Sequence, residues 1–275
     1  MMASNVYGKP PIQAMLQCLL SCALLVSLVS AQSDPPRPVA GRTVDKKEIA
    51  DAVARVKSGK FNSYHVGLIG EARAVEAIPD LEKQFAVVSD PIDRAKIAQV
   101  LLSLGDKKDA YWNYLAELVK PALDTDAPAP TRYDAQGKSI PDLSPEFVKW
   151  VQAHGQSPHE AGENAIYVLP GIVMMVGATA DPRALPLLRR ALLSPNYQIE
   201  AAAALGLAEM HDVTSVPLII SRCKQAPAEA ATAIAGSLVY FDDPKAQNAV
   251  DTYIPKEEAK ALREARTMGK GALHR

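Results

Sequence analysis

The stretch DPRALPLLRRALLSPNYQIEAAAALGLAEM, residues 181–210, decides how the chain is read. Pro186 has an apolar residue one place before it, two after it and six after it: Leu185, Leu188 and Leu192. Spacings of three and four put such a triplet on one face of a helix. The same offsets from Pro217 give Val216, Ile219 and Cys223, and from Pro79 they give Ile78, Leu81 and Phe85. A further step of 30 residues from Pro217 reaches Gln247, flanked by Ala246, Ala249 and Tyr253 at those offsets. Each proline falls in a first turn, where its missing N–H is not needed. The intervening segments carry runs of alanine, Ala201–Ala204 and Ala230–Ala235 among them. Alanine faces let helices approach closely without voids. Turn signals recur where successive pairs meet, at Asp181-Pro182, Asp212 and Asp242-Asp243-Pro244.

Three features thus repeat over residues 181–253: an Ala-Leu-Pro-x-Leu first helix, an Ala-rich second helix and Asp-Pro turns. In these the chain resembles bacterial HEAT-like repeats, the broad class of the phycobilisome-lyase HEAT-like repeats. The likeness extends over 74–119. The arginine that many such repeats carry near the start of the second helix is matched only by Arg94. The resemblance implies an all-α fold, an α-solenoid of stacked antiparallel helix pairs over 44–268, presenting a surface to a protein or peptide partner. It does not name the partner.

Composition agrees with helix. Hydrophobic residues make up 48% of the chain but aromatics only 5%, so the apolar content is chiefly Ala, Leu, Val and Ile. The near-balanced net charge of −1 gives no electrostatic footprint for nucleic acid. Residues 1–31 stand apart. Lys9 is their only charge, an apolar run spans Ala14 to Val29, and Val29-Ser30-Ala31 ends it with small residues. That order predicts a cleaved signal peptide over 1–31 and export to a periplasm or the exterior, with no membrane span afterwards. An uncleaved anchor or lipid attachment at Cys22 are the alternatives. The Pro-rich stretch 32–43 reads as a linker. Only Cys223 would remain after cleavage, so no internal disulfide can form. It occupies the apolar position held by Leu192 and Phe85 in the other triplets, which predicts a buried, inert thiol.

At the ends, Asp45-Lys46-Lys47-Glu48 spells a capping box before a helix closed by Gly59. Glu257–Thr267 predicts a charged amphipathic helix covering the last repeat, with 269–275 a flexible tail.

The repeat breaks once, between Asp124 and Gln156. This insertion holds Pro128, Pro130 and the run Arg132-Tyr133-Asp134, then Ser144-Pro145-Glu146, a helix start. Phe147, Trp150 and Val151 give that helix an apolar face and Gly155 ends it. Insertions in repeat stacks emerge along one edge, often the binding edge, and aromatics and arginine commonly anchor interfaces. The expected contact residues are therefore Arg132, Tyr133, Trp150, His154 and His159. Pro170-Gly171 should kink the helix that follows.

No cofactor, phosphate loop or nucleophile elbow is legible. His159-Glu160-Ala161-Gly162-Glu163 lacks the second histidine of a zincin motif. The competing reading is a metal-assisted hydrolase or lyase using His154, His159 and Glu163.

Overall fold

The computed structural model describes residues 45–133 and 139–273. Helix α1 (Lys46–Ser58) opens on the capping box. The Asp45 carboxylate accepts the Lys47 N–H at 3.2 Å, and Glu48 accepts the Asp45 N–H at 3.4 Å. Gly59 closes the helix at φ 73°. There follow α2 (Ser63–Glu71), α3 (Ile78–Val87), α4 (Pro91–Ser103) and α5 (Asp109–Asp124). Next come two short strands, β1 (Thr131–Tyr133) and β2 (Ser139–Leu143), and helices α6 (Pro145–Ala153) and α7 (Pro158–Glu163). Helix α7 runs through a π-helical turn, Asn164–Val168, into α8 (Leu169–Gly177). The chain continues as α9 (Ala184–Ala191), α10 (Tyr197–Glu209), α11 (Val216–Gln225), α12 (Ala228–Ala235), α13 (Pro244–Tyr253) and α14 (Lys256–Leu273). The described chain is mostly helical.

The helices pack as pairs: α1 with α2, α3 with α4, α5 with α8, α9 with α10, α11 with α12 and α13 with α14. The second helices form one row, α2 against α4, α4 against α8, α8 against α10 and α10 against α12. The apolar triplets supply the first helices' share of the core. Leu81, Leu188, Leu192, Val216, Ile219 and Cys223 are all buried, while Leu185 and Ile78 are half-buried. Burial pushes the Cys223 thiol up to about 12. One continuous core runs from Ala52 to Ala259.

The helix ends repeat as faithfully as the triplets. The N–H groups of Ala74, Asp106 and Asp212 each reach back to the carbonyl five residues earlier, at Ile69, Leu101 and Leu207, all at 3.0 Å. The residue just before each donor, Arg73, Gly105 or His211, is left-handed. This closure satisfies carbonyls that a helix end leaves open. The same short 3-10 turn then leads into α3 and α11 (Val75–Ala77 and Val213–Ser215).

Adjacent pairs are further tied by arginine. The guanidinium of Arg94 lies 4.7 Å from the Phe85 ring centre and 5.0 Å from that of Tyr114. Arg183 covers Trp112 at 4.9 Å while pairing with Asp109 and Asp181. Arg222 of α11 pairs with the buried Glu200 of α10.

Helices α8 and α10 meet backbone to backbone. A Cβ on Gly177 would stand 2.4 Å from the Gly206 Cα. That contact is available only to residues without side chains, and it seats the longest shared face of the row.

Three features differ from the sequence reading. Asp124 ends α5 rather than opening the insertion, and its carboxylate pairs with Arg190 of α9. The insertion contains an antiparallel ribbon, with Thr131 opposite Leu143, Arg132 opposite Ile140 and Tyr133 opposite Ser139. Its strands are too short to show an alternating pattern. The last helix extends through Leu273, beyond Thr267. The expected signal peptide and linker, residues 1–43, lie outside the described residues. Among the described residues no helix is long and apolar enough to cross a membrane.

Candidate binding surface

The insertion folds onto its own small core. Ala127, Phe147, Val151 and Ala165 are buried together, apart from the main core, with Leu143, Trp150 and Ala161 packed around them. Ser144 organises this unit. Its hydroxyl donates to the Ala129 carbonyl at 2.7 Å and accepts the Phe147 N–H at 3.2 Å, while its own N–H reaches the Pro130 carbonyl. The same residue therefore ties the incoming chain and caps α6.

Helix α6 carries Phe147 and Val151 inward, which leaves Trp150 half-buried at the rim. One turn on, His154 stacks on it, ring centres 4.0 Å apart and planes inclined by 26°. The His154 Nδ1 lies 2.8 Å from the Trp150 carbonyl, which can only accept, so Nδ1 carries the proton and donates. In the neutral ring Nε2 is then the acceptor. His154 is solvent-exposed, and Gly155 ends the helix at φ 67°.

The helix below the insertion is shaped by Pro170. In a π-helical turn each N–H reaches five residues back, as Leu169 does to Asn164. The next donor in that register would be residue 170, and proline has none. The Ala165 carbonyl instead accepts from Asn196 Nδ2 at 2.6 Å. Asn196 is buried and also caps α10. The expected kink is thus a π turn with its spare carbonyl satisfied from the next pair. Tyr167, within the turn, is 38% exposed. Proline at 170 was the only sequence signal for this turn. Asn196 gave none.

Of the expected contact residues, Trp150 and His154 are brought together. His159 is exposed in the first turn of α7. Arg132 and Tyr133 lie on β1, and their side chains fall outside the described residues. Among the described residues, no three His, Cys, Asp or Glu side chains converge to hold a metal ion. His154, His159 and Glu163 therefore do not form the metal cluster of the competing reading, because His154 is turned onto Trp150.

No known family model matches the chain, and no curated protein matches it.

Proposed function

We propose that the chain is a non-catalytic binding or scaffold protein of the cell envelope, built as an α-solenoid of HEAT-like pairs. It engages a protein or peptide partner through the insertion. The row of second helices and the recurring helix ends support the repeat reading. The export signal read over residues 1–31 supports the location.

The observation that carries the function is the Trp150–His154 stack at the rim of a core separate from the main one. An aromatic ring held rigid at a solvent edge loses little entropy on binding and offers a large contact area. The main core does not include it.

The test is retention of partners from an envelope extract of the source cell by the intact chain and by Trp150→Ala. The expected result is a partner held by the intact chain and weakened by at least about 2 kcal/mol, as for an interface anchor, with helicity unchanged. Equal retention by both chains would remove the insertion from the binding surface.

A further inference from the structure

We propose that helix α14 is an acid-seated latch on the last pair: it is held down while the Glu258 carboxyl carries a proton and loosens when that proton is lost.

The device begins with a proline. The Ala259 N–H closes the first turn of α14 on the Pro255 carbonyl at 2.9 Å, which makes Pro255 the N-cap and Glu258 the third helical residue. That is the capping-box position. In α1 the equivalent residue, Glu48, accepts the N–H of its own cap residue, Asp45, at 3.4 Å. A proline cap has no N–H to give. Glu258 is denied that donor, and it is only 3% exposed. Its Oε1 is sealed from solvent and has no hydrogen-bond partner. The other charged residues of this helix behave differently. Lys256, Glu257, Lys260 and Glu264 are exposed, and Arg263 and Arg266 reach acidic partners.

Glu258, Leu262 and Arg266 recur at steps of four, on one face of the helix. The elements packed against α14 are α13 and the turn Gly236–Tyr240. The far half of the helix is tied down by polar contacts. Arg266 donates to the Val239 carbonyl and to Asp242, each at 2.6 Å, and Arg263 donates to Gln247 Oε1 at 3.2 Å. The near half buries Ala259, 1% exposed, beside the Glu258 carboxyl. The titratable groups of the packed elements are Tyr240 on the turn and Lys245, Asp251 and Tyr253 on α13. Asp251 is paired with Arg263 at 2.8 Å. Among the described residues no cation pairs with Glu258 within 4.0 Å.

A first-turn position favours negative charge, but a buried charge without a partner is costly. Burial prevails and raises the Glu258 pKa above the ordinary 4.5. The seated helix therefore binds this proton more tightly than a helix lifted into water. The seat has full strength below pH 4.5 and weakens as the pH rises through the raised value. Since α14 is the last element and the core runs to Ala259, this seat closes the C-terminal end of the core.

The experiment is amide hydrogen exchange of the full chain at pH 5, 6.5 and 8, each rate divided by its intrinsic rate to give protection. Amides of residues 260–266 are compared with those of α12, which report opening of the body. In the parent, protection of α14 relative to α12 is expected to fall at least about fivefold from pH 5 to pH 8. Glu258→Gln and Glu258→Met, which cannot ionise, should each hold that ratio constant. A pH-independent ratio in the parent would overturn the proposal whether or not the variants fold. So would a folded variant whose ratio falls as the parent's does.

Discussion

Gly177 and Gly206 show how much of the packing rests on single residues. The α8–α10 contact leaves no room for a methyl group, since a Cβ at 177 would overlap the Gly206 backbone. Gly177→Ala is expected to destabilise the chain by about 2 kcal/mol or more, because backbone rather than a flexible side chain must move. Gly171, two turns earlier in α8, is a control. A Cβ there meets nothing within 4 Å, so Gly171→Ala should be neutral or stabilising by up to about 1 kcal/mol through helix propensity. Urea midpoints of the two variants check the pair. A second prediction concerns Glu209. Burial raises its pKa to about 7 from an ordinary value of 4.5, against the opposing pull of Lys96. The folded chain thus binds its proton more tightly than the unfolded chain. This contribution to stability is full below pH 4.5 and declines as the pH rises towards 7. Glu209→Gln removes the titration. Its stability relative to the parent should therefore rise between pH 4.5 and pH 7, read as a shift in urea midpoint. A constant difference across that window would contradict the assignment.

At the scale of elements, local signals were legible and long-range ones were not. The proline-anchored triplets, the Asp45–Glu48 capping box and the Ser144–Pro145 helix start each lie within one helix turn or two. Their physics is complete in the sequence, and the structure has them in place. Cys223 was readable as buried because its position repeats. The β1–β2 ribbon was not, since strands of three and five residues, one of them containing Pro141, depend on each other rather than on any pattern of their own. The π turn lies between these cases. Pro170 announces a disturbed helix, but the form it takes depends on Asn196, 31 residues from the carbonyl it satisfies. Asn196→Ala leaves the buried Ala165 carbonyl without that donor and removes the α10 cap. The expected loss is about 2–4 kcal/mol, combining an unsatisfied buried group with a lost cap. Asn196→Asp keeps the cap oxygen but cannot donate, so it should recover only the capping part. Equal stability of the Ala and Asp variants in urea would contradict this division.

At the scale of the molecule, the candidate surface follows from the order of packing. The insertion was legible as the one break in the sequence repeat, and Trp150 and His154 as two of its expected contact residues. Their mutual stacking was not, because it depends on α6 turning Phe147 and Val151 inward. The reading of the insertion as an edge of a repeat stack presupposes that the pairs stack in one direction, each on the pair before and the pair after. A stack of this kind has a radius of gyration above that of a compact domain, and its ends do not approach each other. Small-angle X-ray scattering of the chain trimmed to residues 45–275 tests this most directly. Stacked pairs should give a radius of gyration clearly above the roughly 17 Å of a compact chain of that length, with a distance distribution tailing to long separations. A value near 17 Å with a symmetric distribution would contradict the stacked-pair architecture on which the proposed function depends.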